Sequence, residues 1–174
     1  MSEEPGFVVL PLDRDSHDRA AFACGKEPLD RYLQQQAGQD AKRLVAAVFV
    51  ATRPGEPRVL GYYTLSQGSV RLEALPPALQ KRLPRYPDVP VTMLGRLAVH
   101  SEMQGRGLGL LLLGDACRRT FAVADEVAST GILVDAIDDD AARFYGKFGF
   151  VPFPESPHRL FLPMKTIGEV FSAR

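Results

Sequence analysis

No tryptophan occurs among the 174 residues, and cysteine and histidine are nearly absent, at two and three. Cys24 and Cys117 stand alone with no Cys-x-x-Cys or His-x-x-His spacing, so a disulfide framework and a zinc site are excluded as organising devices. Each reads as a small packing residue. Net charge is lacking as well: 21 basic and 21 acidic side chains cancel. Attraction to nucleic acid or membrane must therefore come from local patches and not from an overall field. The longest apolar run, around residues 110–113, is far too short to cross a bilayer, and the acidic start Met1-Ser2-Glu3-Glu4-Pro5 carries no apolar targeting core. These absences imply a soluble cytoplasmic protein with one domain over residues 1–174, long enough to bury a core without covalent staples.

What the chain does carry is a glycine-rich turn between an apolar strand and a leucine-rich helix, Leu97-Ala98-Val99-His100-Ser101-Glu102-Met103-Gln104-Gly105-Arg106-Gly107-Leu108-Gly109. Glycines at alternate positions let the backbone approach a ligand with no Cβ in the way, and the opening turn of a helix leaves unpaired N–H groups aimed outward. Such donors, with the positive end of the helix dipole, suit a pyrophosphate. The dinucleotide fingerprint is excluded because Leu110 stands where its third glycine belongs. The P-loop is excluded because no Gly-Lys-Ser/Thr ending follows.

Periodicity predicts a first strand at residues 7–12 and a helix at 28–36 with Leu29, Tyr32 and Leu33 on one apolar stripe. A buried strand at 44–51, the turn Pro54-Gly55-Glu56-Pro57 and a strand at 59–70 read as an antiparallel hairpin, with Gly61 and Gly68 as bulge candidates. Five prolines in residues 72–90 permit one short helix near 78–82 and otherwise an ordered excursion, a candidate wall for a substrate cleft. Strand 91–99, helix 105–124, strand 131–137 and helix 139–148 follow in βαβ order. Strands at 150–153 and 160–164 and a tail at 167–174 close the chain. The predicted class is a mixed α/β sheet covered by helices, with helix 108–121, apolar on nearly every side, sandwiched against the sheet.

The spacing Gln104-x-x-Gly107-x-Gly109 resembles the pyrophosphate signature of the GNAT acetyltransferases, and Asp135-Ala136-Ile137-Asp138-Asp139-Asp140-Ala141-Ala142-Arg143-Phe144-Tyr145-Gly146-Lys147-Phe148-Gly149-Phe150 resembles that family's second segment. The stretches Phe22 to Leu33, Gly61 to Ser66 and Leu94 to Val99 are further similar to the acetyltransferase toxins of toxin-antitoxin pairs. The resemblance implies a GNAT fold, a mostly antiparallel sheet with splayed central parallel strands. It implies acetyl-CoA as co-substrate, no metal, and acetylation of the α-amino group of aminoacyl-tRNA, which blocks translation. It also implies a ribbon-helix-helix antitoxin as partner, and it leaves a homodimer open. By the same likeness the backbone of Leu97, Ala98 and Val99 holds the acetyl carbonyl and pantetheine arm, and Gln104, Gly105, Arg106, Gly107, Leu108 and Gly109 grip the pyrophosphate. Asp138 and Phe144 fall on the cofactor side, and Tyr145 is the general acid. Asp138 replaces the asparagine of many relatives, and an oxygen-bearing residue there also suits a helix N-cap.

The residues constrain the acceptor as well. Strand 91–99 carries no Asp or Glu to act as a strong base. A lysine amine, with a pKa of about 10.4, is overwhelmingly protonated at neutral pH, whereas an α-amine near about 7.7–8.0 is neutral in an appreciable fraction of molecules. Such an amine needs only water or a weak base such as His100, itself a surface or capping candidate. Arg96 alternates with Leu94 and Ala98 and reads either as the substrate residue that attracts a phosphate or 3′ terminus, or as the partner of a carboxylate on a neighbouring strand. Basic residues recur at Lys42 and Arg43, at Lys81, Arg82 and Arg85, and at Arg143 and Lys147. If they converge they neutralise RNA phosphates. Tyr62, Tyr63 and Tyr86 are stacking or packing aromatics, and the Phe22 segment and residues 167–171 either offer a docking surface or close the core. Two other readings stay open: an acetyltransferase for a protein N-terminus or small amine, and a non-catalytic coenzyme A-binding module that regulates DNA through a partner.

Overall fold

Among the described residues, seven strands and six α-helices are laid down in the order β1 (Val8–Pro11), α1 (Glu27–Arg31), α2 (Ala37–Lys42), β2 (Ala47–Thr52), β3 (Gly61–Arg71), α3 (Pro77–Gln80), β4 (Asp88–Val99), α4 (Leu108–Ala122), β5 (Gly131–Asp135), α5 (Asp139–Phe148), β6 (Val151–Phe153), β7 (Ser156–Pro163) and α6 (Met164–Ser172) in a computed structural model. It describes residues 6–172; the acidic opening residues and the last two of the expected tail lie outside the described residues. The strands hydrogen-bond in the order β1-β2-β3-β4-β5-β7-β6, one mixed sheet in which β1–β2, β2–β3, β5–β7 and β6–β7 pair antiparallel and β4–β5 pair parallel. This is the architecture expected.

Two compact units divide the chain. The first runs to Ser66 and includes Arg96–Ala116; the second comprises Gln67–Gly95 and the chain from Cys117. In the first, β2 pairs with β1 from Val8↔Thr52 to Pro11↔Phe49 and with β3 from Ala47↔Leu65 to Ala51↔Gly61, the hairpin that the turn residues predicted. Phe22, Tyr32, Leu33, Val50, Tyr62 and Ala98 belong to its core. In the second, β4 runs parallel to β5 over Thr92–Leu94, and β5, β7 and β6 continue antiparallel. Val91, Leu75, Leu79, Leu133, Phe153 and Phe161 pack there.

Helix 28–36 proves longer than its apolar stripe. Pro28 stands in the first turn with Glu27 and Asp30, as the N-terminal preference for proline and acids dictates. The chain then widens into a π-helical turn at Tyr32–Gln36 and continues as α2 to Lys42. The strand expected from residue 44 consequently starts at Ala47. Leu44 takes a left-handed φ of 59° at the end of α2 and is 91% exposed, and Val45 donates its amide to Asp40 O. Apolar composition there reports a helix exit, not a buried strand.

Gly61 is no bulge. It sits in register opposite Ala51, and a Cβ on it would stand 2.9 Å from Leu112 Cδ1 and 3.2 Å from Ala98 O, so its smallness serves close packing on α4. Helix α4 buries Leu112, Leu113, Ala116 and Cys117 but leaves Leu110 and Leu111 exposed, so it is covered on one side and not sandwiched. The expected tail is helix α6, with Ile167 buried and Phe171 stacked on Phe121 at 6.5 Å between ring centroids. Phe22 is buried and closes the core of the first unit, whereas Phe171 is half-buried and Val170 exposed, so the 167–171 segment keeps part of its apolar surface open.

Candidate active site

Strand β4 pairs with β5 only from Thr92 to Leu94 among the described residues, then runs on as extended chain through Val99. Within those last residues alternation buries Ala98 in the core of the first unit and half-buries Leu97 and Val99 on the opposite face. A short 3-10 turn, Ser101–Met103, leads to Gln104 and the two glycines that precede α4.

The turn is glycine for a conformational reason. Gly105 has φ +78° and Gly107 φ +81°, the left-handed region where a Cβ is strained, and a Cβ at either would project into open space. The backbone is therefore bare on the side a ligand would approach. Leu111 N–H donates to Gly107 O at 3.0 Å, so the amides of Leu108, Gly109 and Leu110 stand ahead of the helix ladder, as helix N-termini leave them. Leu108 anchors the turn, 1% exposed, while Arg106 is exposed. Together these features fit a diphosphate: main-chain donors, a helix N-terminus and no side chain in the cradle. Gln104 stands apart from this set, because its amide nitrogen donates to Cys24 O at 2.9 Å and Val99 O at 3.2 Å. Its side chain fastens the turn to the 22–26 segment.

Arg96 is half-buried with its guanidinium carbon 3.5 Å from the centroid of the Tyr32 ring. A cation desolvated over an aromatic face is worth about 2 kcal/mol. Tyr32 in turn donates to Asp40 Oδ2 at 2.9 Å, and Gln36 Nε2 donates to Asp40 Oδ1 at 2.9 Å, so the π-helical turn brings three side chains together. Burial, with the hydrogen bond to Asp40, pushes the Tyr32 phenol up to about 12. The Gln36 and Tyr32 hydrogen bonds and the Arg96 and Arg43 cations hold the Asp40 carboxyl below its ordinary range. The partner of Arg96 is thus an aromatic face backed by a helical carboxylate, not an acid on a neighbouring strand.

In the second unit α5 is bounded by two caps. Asp138 Oδ1 accepts from Ala141 N–H at 2.8 Å, and Gly149 closes the helix at φ +111°, with Phe150 N–H donating to Tyr145 O at 3.2 Å. Tyr145 lies on this helix, 5% exposed, with its ring 5.2 Å from Phe144 and 5.4 Å from Phe150 between centroids. Burial pushes its phenol up, which keeps the proton on.

A strand that outruns its parallel partner, a left-handed glycine turn at a helix start and a buried tyrosine on a capped helix are all present. Residues 45–152 match the family model described as an acetyltransferase (GNAT) domain. The chain belongs to the GNAT acetyltransferase family. It is similar, at 40% identity over 160 residues, to the tRNA-acetylating toxin of Mycobacterium tuberculosis, with 92% of this chain and 94% of that protein covered. The solved structure of AtaT complexed with acetyl-methionyl-tRNAfMet matches with a TM-score of 0.87 at 30% identity, covering 95% of this chain and 99% of that one. A tyrosine-to-phenylalanine variant of the AtaT toxin, bound to the C-terminus of the antitoxin AtaR and acetyl-CoA, matches with a TM-score of 0.82 at 27% identity, covering 95% and 98%.

This GNAT protein is an acetyl-CoA-dependent N-acetyltransferase. Several of its polar residues are placed differently from what composition suggested. His100 is buried, not on the surface, and it is a cap: Nδ1 accepts from Glu102 N–H at 3.1 Å, and Nε2 lies 3.3 Å from both Ala21 O and Arg58 Nη2. Nδ1 caps the Ser101–Met103 turn while Nε2 faces Ala21 O and Arg58, so both ring nitrogens are engaged within the protein. Tyr62 and Tyr63 are fully buried, donating to Leu29 O and Asp115 Oδ2, and Tyr86 alone of the three is open to solvent, at 66%. Tyr86, Lys81 and Arg85 border a hollow of about 740 Å³ formed by the proline-rich excursion. Arg143 pairs with Asp140 on its own helix.

The acetyltransferase depends on Asp138 for the start of α5. Asp138→Ala removes the cap from Ala141 N–H and is expected to lower unfolding stability by about 1 kcal/mol, read by urea denaturation. Asp138→Asn, which retains an acceptor oxygen, is expected to keep most of it.

Proposed function

We propose that the enzyme transfers acetyl from acetyl-CoA to the α-amino group of an aminoacyl-tRNA and so acts as a toxin that blocks translation. The observation that carries the reading is its likeness, over nearly the full length of both chains, to a tRNA-acetylating toxin. The structural match to AtaT complexed with acetyl-methionyl-tRNAfMet supports the same acceptor. The whole chain is read as one catalytic domain, acting in the cytoplasm; among the described residues no helix is long and apolar enough to cross a membrane. Its partner is an antitoxin, which we assign to the ribbon-helix-helix class.

Each residue then has a stated task. Bound acetyl-CoA supplies the activated acetyl group. The main chain of Leu97, Ala98 and Val99 binds the pantetheine arm in the manner of an added strand. The turn at Gln104, Gly105, Arg106, Gly107, Leu108 and Gly109 binds the diphosphate through amides held at left-handed glycines. Asp138 and Phe144 line the cofactor side, Asp138 through the helix start it caps. Arg96, fixed over Tyr32, attracts the phosphate nearest the charged 3′ end. Tyr145 keeps its proton on Oη at neutral pH and delivers it to the departing sulfur. The α-amine loses its own proton to water, which its modest basicity permits.

Labelled acetyl-CoA incubated with charged tRNA, uncharged tRNA and a lysine-containing peptide tests the assignment. Label is expected on charged tRNA alone, and mild base is expected to release it as an N-acetyl amino acid. Label on uncharged tRNA or on the peptide, with none on charged tRNA, would overturn it.

A further inference from the structure

A second hollow of about 410 Å³ is built wholly within the first unit. Arg14 and Arg19 line it from the loop after β1, and Gln35, Gln39, Lys42 and Arg43 line it from the helical stretch 34–43. Four cations from two walls thus face one space, and no carboxylate is among the lining residues. Of the acids nearby in sequence, Asp40 accepts from Tyr32 and Gln36 and feels the Arg43 charge, Asp13 accepts from Asp15 N–H, Asp18 accepts from Ala20 N–H, and exposed Asp15 does not line the hollow.

Three of the four cations are also positioned by neighbours. Gly38 leaves room for Arg14, whose Nε would stand 3.0 Å from a Cβ at that position. Arg19 donates Nη1 to Leu33 O at 3.1 Å, which leaves the rest of its fork of donors. The Gln39 amide oxygen, turned toward Arg43, accepts from Nη1 and Nη2 at 3.2 and 3.0 Å. Like charges gathered around one space with no carboxylate on its lining repel each other, so the arrangement costs stability unless an anion occupies the space. The lining contains no aromatic ring on which a base could stack. Cations without stacking surface recognise backbone and not bases.

We propose that the hollow bordered by Arg14, Arg19, Lys42 and Arg43 is a phosphodiester site that seats the sugar-phosphate backbone of the acceptor RNA. The inference rests on the reading of charged tRNA as the acceptor and adds where part of that RNA is held. Guanidinium forks match phosphate oxygens, and each neutralised phosphate releases condensed counterions. The site supplies affinity and register for the RNA while contributing nothing to the acetyl transfer step.

The test compares the wild type with Arg14→Gln/Lys42→Gln, both exposed positions, using charged tRNA and, separately, the ethyl ester of the same amino acid as acceptor. For charged tRNA the double variant is expected to raise KM about tenfold with kcat unchanged. It is also expected to make the dependence of log(kcat/KM) on log salt shallower by about 1.4 to 1.8, from about 0.7 to 0.9 per lost phosphate contact. Ester acetylation and the KM for acetyl-CoA stay at wild-type values, which also certifies the fold, and Arg14→Lys/Lys42→Arg restores KM. Unchanged KM and salt slope with charged tRNA overturn the site while leaving the acceptor assignment standing. The same holds if only binding of an acidic antitoxin peptide weakens. A wild type that acetylates the ester but no charged tRNA overturns the acceptor assignment instead.

Discussion

Tyr145→Phe is expected to lower kcat by ~10²–10⁴-fold, the usual contribution of a positioned general acid, while leaving the KM for acetyl-CoA close to wild type. The substitution removes one oxygen from a ring that stays packed against Phe144 and Phe150, so the core of α5 is undisturbed. A variant that binds acetyl-CoA normally and turns over at the wild-type rate would remove the phenol from the mechanism. The pH profile separates acid from base. Activity is expected to rise through the acceptor α-amine, with a midpoint around 7.7–8.0 in a simple ester-free amine and lower beside an ester, at roughly one decade per unit below it. Because burial raises the Tyr145 pKa, the acid stays protonated beyond the range of an ordinary phenol, and the expected profile is a plateau without an alkaline fall through about pH 10. An alkaline limb centred near neutrality would assign the proton to another group.

The second large effect is expected from Gly105→Ala/Gly107→Ala. Both residues have positive φ, and a side chain there costs about 1–2 kcal/mol of backbone strain per position. The new methyl groups meet no protein atom within 4 Å, so the fold has no clash to relieve. They fill the space through which main-chain amides would reach a diphosphate. Acetyl-CoA affinity is expected to fall by about tenfold or more, since each factor of ten corresponds to about 1.4 kcal/mol, while kcat at saturating cofactor changes less. Isothermal titration with coenzyme A measures the loss directly. Undiminished affinity would separate the glycine turn from the diphosphate.

Much of this was legible in local pattern. Gly105 and Gly107 stand at alternate positions before a leucine-rich run, and local backbone sterics alone require a turn there that residues with a Cβ resist. Asp138 followed by two acids and an amphipathic stretch marks a helix start, and the capping bond to Ala141 follows from that spacing. The misreadings share one cause. Leu44 and Val45 are apolar and exposed, and Leu110 and Leu111 likewise. In each case hydrophobicity was taken for burial, although burial depends on what another segment places beside the residue.

Arg96 shows the same limit within the site. Alternation along β4 put it beside Ala98, yet its partner is Tyr32, 64 positions earlier, presented by a π-helical turn that no composition signal announces. Arg14 and Arg19 carried no signal either. They read as loop charges until the helix ending at Lys42 faces them across one hollow.

Backbone freedom, chain reversal and helix capping were written locally, because each arises from interactions between residues a few positions apart. Which charges would meet and which rings would be covered depended on packing between distant segments. Those contacts are selected by the free energy of the whole folded chain, and no window of neighbouring residues contains both partners.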